Sequence, residues 1–203
     1  MVTRRILLPS LAALAVAPIG TRHARADNAD AAGAFIDKLL HDLTTIVNAP
    51  GPIGEKRAAL EKIVDATVDV TAVARFCLGR FWRMATDAQR REYTDLFHRV
   101  LVISVTGKVG DYKGVTFTMG RSLPRDDAFI VSTTVTRPGN APNKAEWLVS
   151  MAGSGPKLID VIAEGVSLRL TQRADYAAYL ERNNNNVQAL IDAMRQQAAN
   201  LQG

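Results

Sequence analysis

Apolar positions recur at helical spacing through the first half of the chain. Phe35, Ile36, Leu39, Leu40, Leu43, Ile46 and Val47 share one face until Pro50-Gly51-Pro52 ends the run. A second helix is expected from Gly54 to Thr67, with Ala59, Leu60, Ile63 and Val64 inward. Asp69 stands where an N-cap would start a third, which carries Val73, Phe76 and Cys77. Thr86 and Gln89 have the spacing of a capping box, in which each side chain bonds the other residue's backbone N–H. They open a long amphipathic helix through Tyr93, Leu96, Phe97, Val100 and Leu101 toward Gly107.

The middle of the chain changes period from 3.6 to 2. Val115, Phe117 and Met119 alternate with Thr116 and Thr118, and Phe129, Val131, Thr133 and Val135 alternate with Ile130, Ser132 and Thr134. Further strands are expected at 144–152 and 157–163, separated by the turn sequences Arg137-Pro138-Gly139-Asn140 and Gly153-Ser154-Gly155-Pro156. Two helices close the chain, Thr171 to Arg182 and Val187 to Leu201, with the Asn183–Asn186 run as the turn between them. The expected fold class is α+β: a four-stranded antiparallel meander covered on one face by N- and C-terminal helices.

Composition narrows the function classes. At 203 residues and 47% hydrophobic the chain can bury one core, and its single cysteine, Cys77, excludes an internal disulfide. The net charge of +5 suggests anionic partners until its distribution is considered. Arg4 and Arg5 lead into an apolar run from Ile6 to Ile19, followed by a small-x-small site at Ala24-Arg25-Ala26, the pattern of an export signal. Arg22 and Arg25 fall in the same acid-free segment, so residues 27–203 are left nearly neutral, with no charge argument for nucleic acid. Residues 1–26 are therefore read as a cleaved signal peptide and 27–203 as one domain. Pro9 and Pro18 interrupt a run already short of the ~20 residues that span a bilayer. Thr3-Arg4-Arg5-Ile6-Leu7-Leu8 partly resembles a twin-arginine signal, so export by either the Sec or the twin-arginine route is compatible.

Catalytic constellations are sparse. His41 and His98 have no partner at metal-ligand spacing, Cys77 sits between apolar neighbours, and Gly153-Ser154-Gly155 is a turn rather than a nucleophile elbow. Asp160 and Glu164, four residues apart on an expected strand end, are the one carboxylate pair that could serve as acid and base. What stands out is apolar surface: Trp147, Val149 and Met151 on one strand with Phe117, Met119, Val131 and Val135 on others. A one-residue error in the alternation would exchange that set for Ile130 and Leu148. Pattern alone leaves a domain that either packs shut or encloses an apolar ligand.

A family resemblance bears on that choice. The segment Ala74-Arg75-Phe76-Cys77-Leu78-Gly79-Arg80-Phe81-Trp82-Arg83 resembles the MlaC family, also called the toluene-tolerance family. Its members are periplasmic phospholipid-binding components of an ABC-type lipid transport system. The likeness continues through Gln89-Arg90, Leu96-Phe97, Tyr112, Arg137-Pro138, Trp147, Ile159-Asp160-Val161, Glu164-Gly165-Val166-Ser167 and Thr171-Gln172-Arg173. Cys77 stands where the family often has Val, Phe81 where Tyr is usual, and Asn183–Asn186 in place of a common Gly-Gly turn.

The resemblance implies a non-enzymatic periplasmic carrier with an apolar pocket between sheet and helices, phospholipid as cargo and no cofactor. Its implied partners are an inner-membrane ABC transporter complex with its lipid-binding ring and an outer-membrane lipoprotein/porin complex, and its role is to maintain outer-membrane lipid asymmetry. Each CH₂ exposed to water costs about 0.8 kcal/mol, so a two-chain lipid crosses water only inside such a shelter. The expected pocket walls are Phe117, Met119, Val131, Val135, Trp147, Val149 and Met151 from the sheet, with Leu96, Val100 and Leu101 opposite. Arg75, Arg80 and Arg83 are candidate contacts for a head group or a partner. A different apolar cargo such as a hopanoid is the nearer alternative. A small hydrolase or isomerase on the same cup is the more distant one.

Overall fold

The structure, a computed structural model, describes residues 20–107 and 109–201. Of the expected signal segment, 1–19 lie outside the described residues. Six α-helices and five strands follow one another among the described residues. They are α1 (Gly20–Asn48), α2 (Ile53–Thr67), α3 (Val70–Leu78), α4 (Asp87–Gly107), β1 (Thr116–Arg125), β2 (Ala128–Thr136), β3 (Asn143–Ser150), β4 (Lys157–Ala163), β5 (Val166–Ser167), α5 (Leu168–Arg182) and α6 (Val187–Asn200). A 3₁₀ turn, Gly79–Arg83, joins α3 to the loop before α4, and a second, Val109–Tyr112, precedes the sheet.

Local sequence sets the helix ends. The Asp69 carboxylate accepts the Ala72 N–H at 2.9 Å and so satisfies one of the orphan donors of α3. The capping box at α4 is closed: Thr86 Oγ1 accepts the Gln89 N–H at 3.2 Å and Gln89 Oε1 accepts the Thr86 N–H at 3.0 Å. Between α5 and α6, Asn184 and Asn185 take φ of 54° and 57°, a left-handed conformation that Asn accepts more readily than most residues, and Asn186 caps α6.

The sheet is an antiparallel meander in the order β1-β2-β3-β4-β5. It has five strands where four are expected, because Glu164 and Gly165, at φ 52° and 84°, make a two-residue hairpin turn that returns Val166 and Ser167 to pair with β4. Two residues give too little alternation to be read from sequence. β1 also runs on to Arg125 through a register shift between Met119 and Ser122. The part of β4 that β5 does not reach is covered by the α2–α3 junction: Val68 bridges Leu158, and the Asp69 N–H donates to the Leu158 carbonyl at 3.0 Å.

Two cores result. A helical core gathers α3, the Gly79–Arg83 turn, α4, α5 and α6 around Leu78, Phe81, Tyr93, Leu180, Ile191 and Met194. A sheet core forms where α1 lies against one face of the meander.

Candidate functional site

Strand pairing fixes which sheet residues share a face. Phe117 lies opposite Val135, Met119 opposite Thr133, Val131 opposite Trp147 and Phe129 opposite Val149, so these side chains point the same way. Of the walls expected from sequence, Phe117, Met119, Val131, Trp147, Val149 and Met151 all belong to the sheet core, and Val135 shares their face by pairing. Ile130 and Leu148 lie on the reverse face, which settles the one-residue ambiguity of the alternation.

Burial on this face is uneven. Val131 and Val149 are fully buried and Phe129 nearly so. Phe117, Met119, Trp147, Met151 and Val161 are only partly buried against them. The apolar face is thus wider than the helix that covers it, and its uncovered part is bulky, adaptable side chain. The Thr133 hydroxyl, 2% exposed among them, accepts the Trp147 indole N–H at 2.9 Å, an arrangement that fixes the ring and satisfies its donor.

The helix opposite the sheet is α1, through Ala29, Ala32, Ile36, Leu39 and Leu40. Its approach is close: a Cβ on Gly33 would lie 2.8 Å from Ser122 Oγ on β1. Leu96 and Leu101, expected across from the sheet, lie instead with the helical core, and Val100 is partly buried on the same helix. The physical reason is that an apolar stripe at helical spacing reports a buried face without saying what buries it. The α1 stripe was itself legible, but nothing in it distinguished sheet from helix as its partner.

The polar residues of the family-like blocks serve the fold. Asp160 is 7% exposed, accepts the Ser167 hydroxyl at 2.6 Å and the Arg169 N–H at 3.1 Å, and lies 3.4 Å from the Arg169 guanidinium. Ser167 in turn caps α5 by accepting the Leu170 N–H. Glu164 stands exposed in the hairpin turn, so the two carboxylates do not meet as an acid–base pair. Cys77 is buried and directs its thiol at the Arg169 carbonyl, 3.6 Å away. Burial, and then the Asp160 charge, push that thiol from its ordinary 9.0 up to about 12, which keeps it protonated and unreactive. His98 pairs with Asp65 at 2.6 Å and His41 is exposed. Among the described residues no group of three or more His, Cys, Asp or Glu is placed to hold a metal ion.

The three expected arginines do come together, away from the sheet face. Arg75 from α3, Arg80 and Arg83 from the 3₁₀ turn and Arg173 from α5 line a groove of about 750 Å³ with Phe76 and Trp82. Arg173 joins the cluster from beyond the sheet in sequence, a separation across which spacing gives no sign of proximity.

Comparison with known proteins gives two findings. The sequence model of the family described as MlaC protein matches residues 35–196, well over half of the chain. The fold is also that of a solved phospholipid-binding protein from Ralstonia solanacearum, determined in complex with a phospholipid. That structure superposes with a TM-score of 0.74 at 21% identity, over 85% of this chain and 99% of the other.

Proposed function

We propose that this chain, which belongs to the MlaC family, carries phospholipid through the periplasm with its acyl tails against the α1 side of the sheet. The observation that carries this reading is the set of large apolar side chains on that face that the protein leaves only partly covered, among them Phe117, Met119, Trp147 and Met151. Leaving them so is unfavourable in water by roughly 25 cal/mol for each Å² of apolar area, a deficit that apolar cargo removes. An apolar wall without charged partners is compatible with both pickup and release, since transfer from bilayer to wall is nearly neutral. The protein is a carrier and not a catalyst, in keeping with its family, and its cargo takes the place of a cofactor.

Family membership and the export-signal pattern of the N-terminus support the finer parts of the reading. Residues 1–26 direct export and are removed, and 27–203 form the carrier. It exchanges lipid with an inner-membrane ABC transporter complex through its lipid-binding ring and with an outer-membrane lipoprotein/porin complex, and so maintains outer-membrane lipid asymmetry. Native mass spectrometry of the purified protein, followed by lipid extraction, tests the cargo. Intact phospholipid in stoichiometric amount is expected, and Met119→Asp and Trp147→Asp should each lose most of it while remaining folded. An empty protein, or one loaded only with a non-phospholipid, would contradict the reading.

A further inference from the structure

The arginine groove has a charge that the protein balances only in part. Of its four guanidiniums only Arg80 meets a carboxylate, Glu181 at 2.7 Å. The one acid in the lining, Asp69, caps α3 and offsets part of the charge. Among the described residues Arg75, Arg83 and Arg173 have no carboxylate within ion-pair distance. Like charges gathered this way repel one another, and Asp69 and the Arg80–Glu181 pair relieve this only in part.

Rings of the groove lie beside two of the unpaired arginines, Arg75 and Arg173. The Arg173 guanidinium lies 4.9 Å from the centre of the Phe76 ring and that of Arg75 lies 6.0 Å from Trp82. Stacking fixes a guanidinium plane and leaves its N–H edge available to an acceptor. Gly79 permits the arrangement: at φ 58° it turns the chain sharply, and a Cβ there would come within 3.2 Å of Arg173. Arginines beside aromatic side chains, in a concave surface, are the composition of a protein-binding hot spot.

We propose that this groove is the docking site for an acidic segment of a partner protein, one that also inserts an apolar side chain between Phe76 and Trp82. Charge complementarity selects an acidic partner. Concavity selects a segment over a flat membrane, which cannot reach the groove floor. Exposure argues against a small free anion, since water and salt screen the four exposed guanidiniums and only a ligand engaging several together is held firmly. The groove borders the helical core and not the sheet face, so a partner can dock while the cargo stays in place. The inference stands whether or not that cargo is phospholipid.

The test uses the full chain with whatever lipid it carries, applied to an array of immobilised peptides graded in Asp and Glu content, each with and without Leu or Phe. Retention should rise with acidic content, rise further with the apolar residue and fall with salt. The double variant Arg75→Glu/Arg83→Glu should weaken it by at least about tenfold, and Arg57→Glu, on the exposed side of α2, should change it little. Lipid content and thermal unfolding, measured on the same samples, should match the parent, because neither arginine holds an ion pair or touches the sheet core. Retention indifferent to acidic content, equal loss in both variants, or full displacement by inorganic phosphate would overturn the proposal. So would binding to phosphatidylglycerol vesicles with no acidic peptide retained.

Discussion

The two tryptophans sit in halves of the molecule that are finished to different degrees. Trp82 borders the helical core, where Leu78, Phe81, Tyr93, Leu180, Ile191 and Met194 are each at most 2% exposed. There Tyr93 donates its hydroxyl to the Ala74 carbonyl at 2.9 Å and packs edge-on with Trp82 and Tyr176. Trp147 stands on the sheet face, where α1 covers Val131 and Val149 fully but Phe117, Met119, Met151 and Trp147 itself only in part. One half is closed by its own side chains and keeps the chain folded. The other is as apolar but less filled, and that difference is what a carrier requires: a face that tolerates both the presence and the absence of an oily ligand.

Substitutions in the two halves should therefore separate stability from cargo. Phe81→Ala opens a cavity in the closed core and should cost about 3–5 kcal/mol in denaturant unfolding, with lipid content lost only through unfolding. Met119→Ala, on the partly open face, should cost less than half of that, yet lower the lipid retained by the folded protein. Equal stability losses at the two sites would erase the distinction. Asp160→Ala, at the seam between β4 and α5, strips an acceptor from the Ser167 hydroxyl, the Arg169 N–H and the Arg169 guanidinium. It should destabilise by about 1.5–3 kcal/mol without changing lipid content.

Alkali should act on the helical half. Cys77 has its pKa raised by burial from 9.0 to about 12, and burial also raises Tyr93 and Tyr176. The unfolded chain thus releases these protons at lower pH than the native one does, so their contribution is complete below about pH 9 and declines as pH rises toward 12. Denaturant unfolding at about pH 8 and about pH 10.5 should show the native state weaker at the higher pH, and Cys77→Ala should reduce the difference. The smallest expected effect is at the surface: Arg80→Ala removes an exposed ion pair with Glu181 and should shift stability by less than about 1 kcal/mol.

The sequence disclosed features whose cause is local. Asp69, Thr86 with Gln89, and Asn184 with Asn185 act through backbone groups a few residues away, so their spacing alone predicts the cap or turn. The membership of the sheet face was legible for the same reason, since strict alternation in β2 and β3 puts Val131 and Trp147 on one side. Pairing between distant elements was not. The stripes of α1 and α4 look equally able to face the sheet, and only their tertiary arrangement gives that place to Ile36, Leu39 and Leu40 instead of Leu96 and Leu101. The second half of β1 was hidden because the shift between Met119 and Ser122 breaks its alternation. Glu164-Gly165-Val166-Ser167 marked the family correctly, but only coordinates reveal it as a turn, a strand and a helix cap.

With Trp147 on the proposed cargo face and Trp82 in the arginine groove, the tryptophans offer the most direct measurement of where the tails lie. The variants Trp82→Phe and Trp147→Phe leave one fluorophore each, and each can be loaded with phospholipid brominated along its acyl chains, which quenches only a ring in contact. Strong quenching in Trp82→Phe, where Trp147 alone emits, with little in Trp147→Phe, is the predicted result. Unquenched Trp147, or equal quenching of both, would contradict the placement of cargo on the sheet.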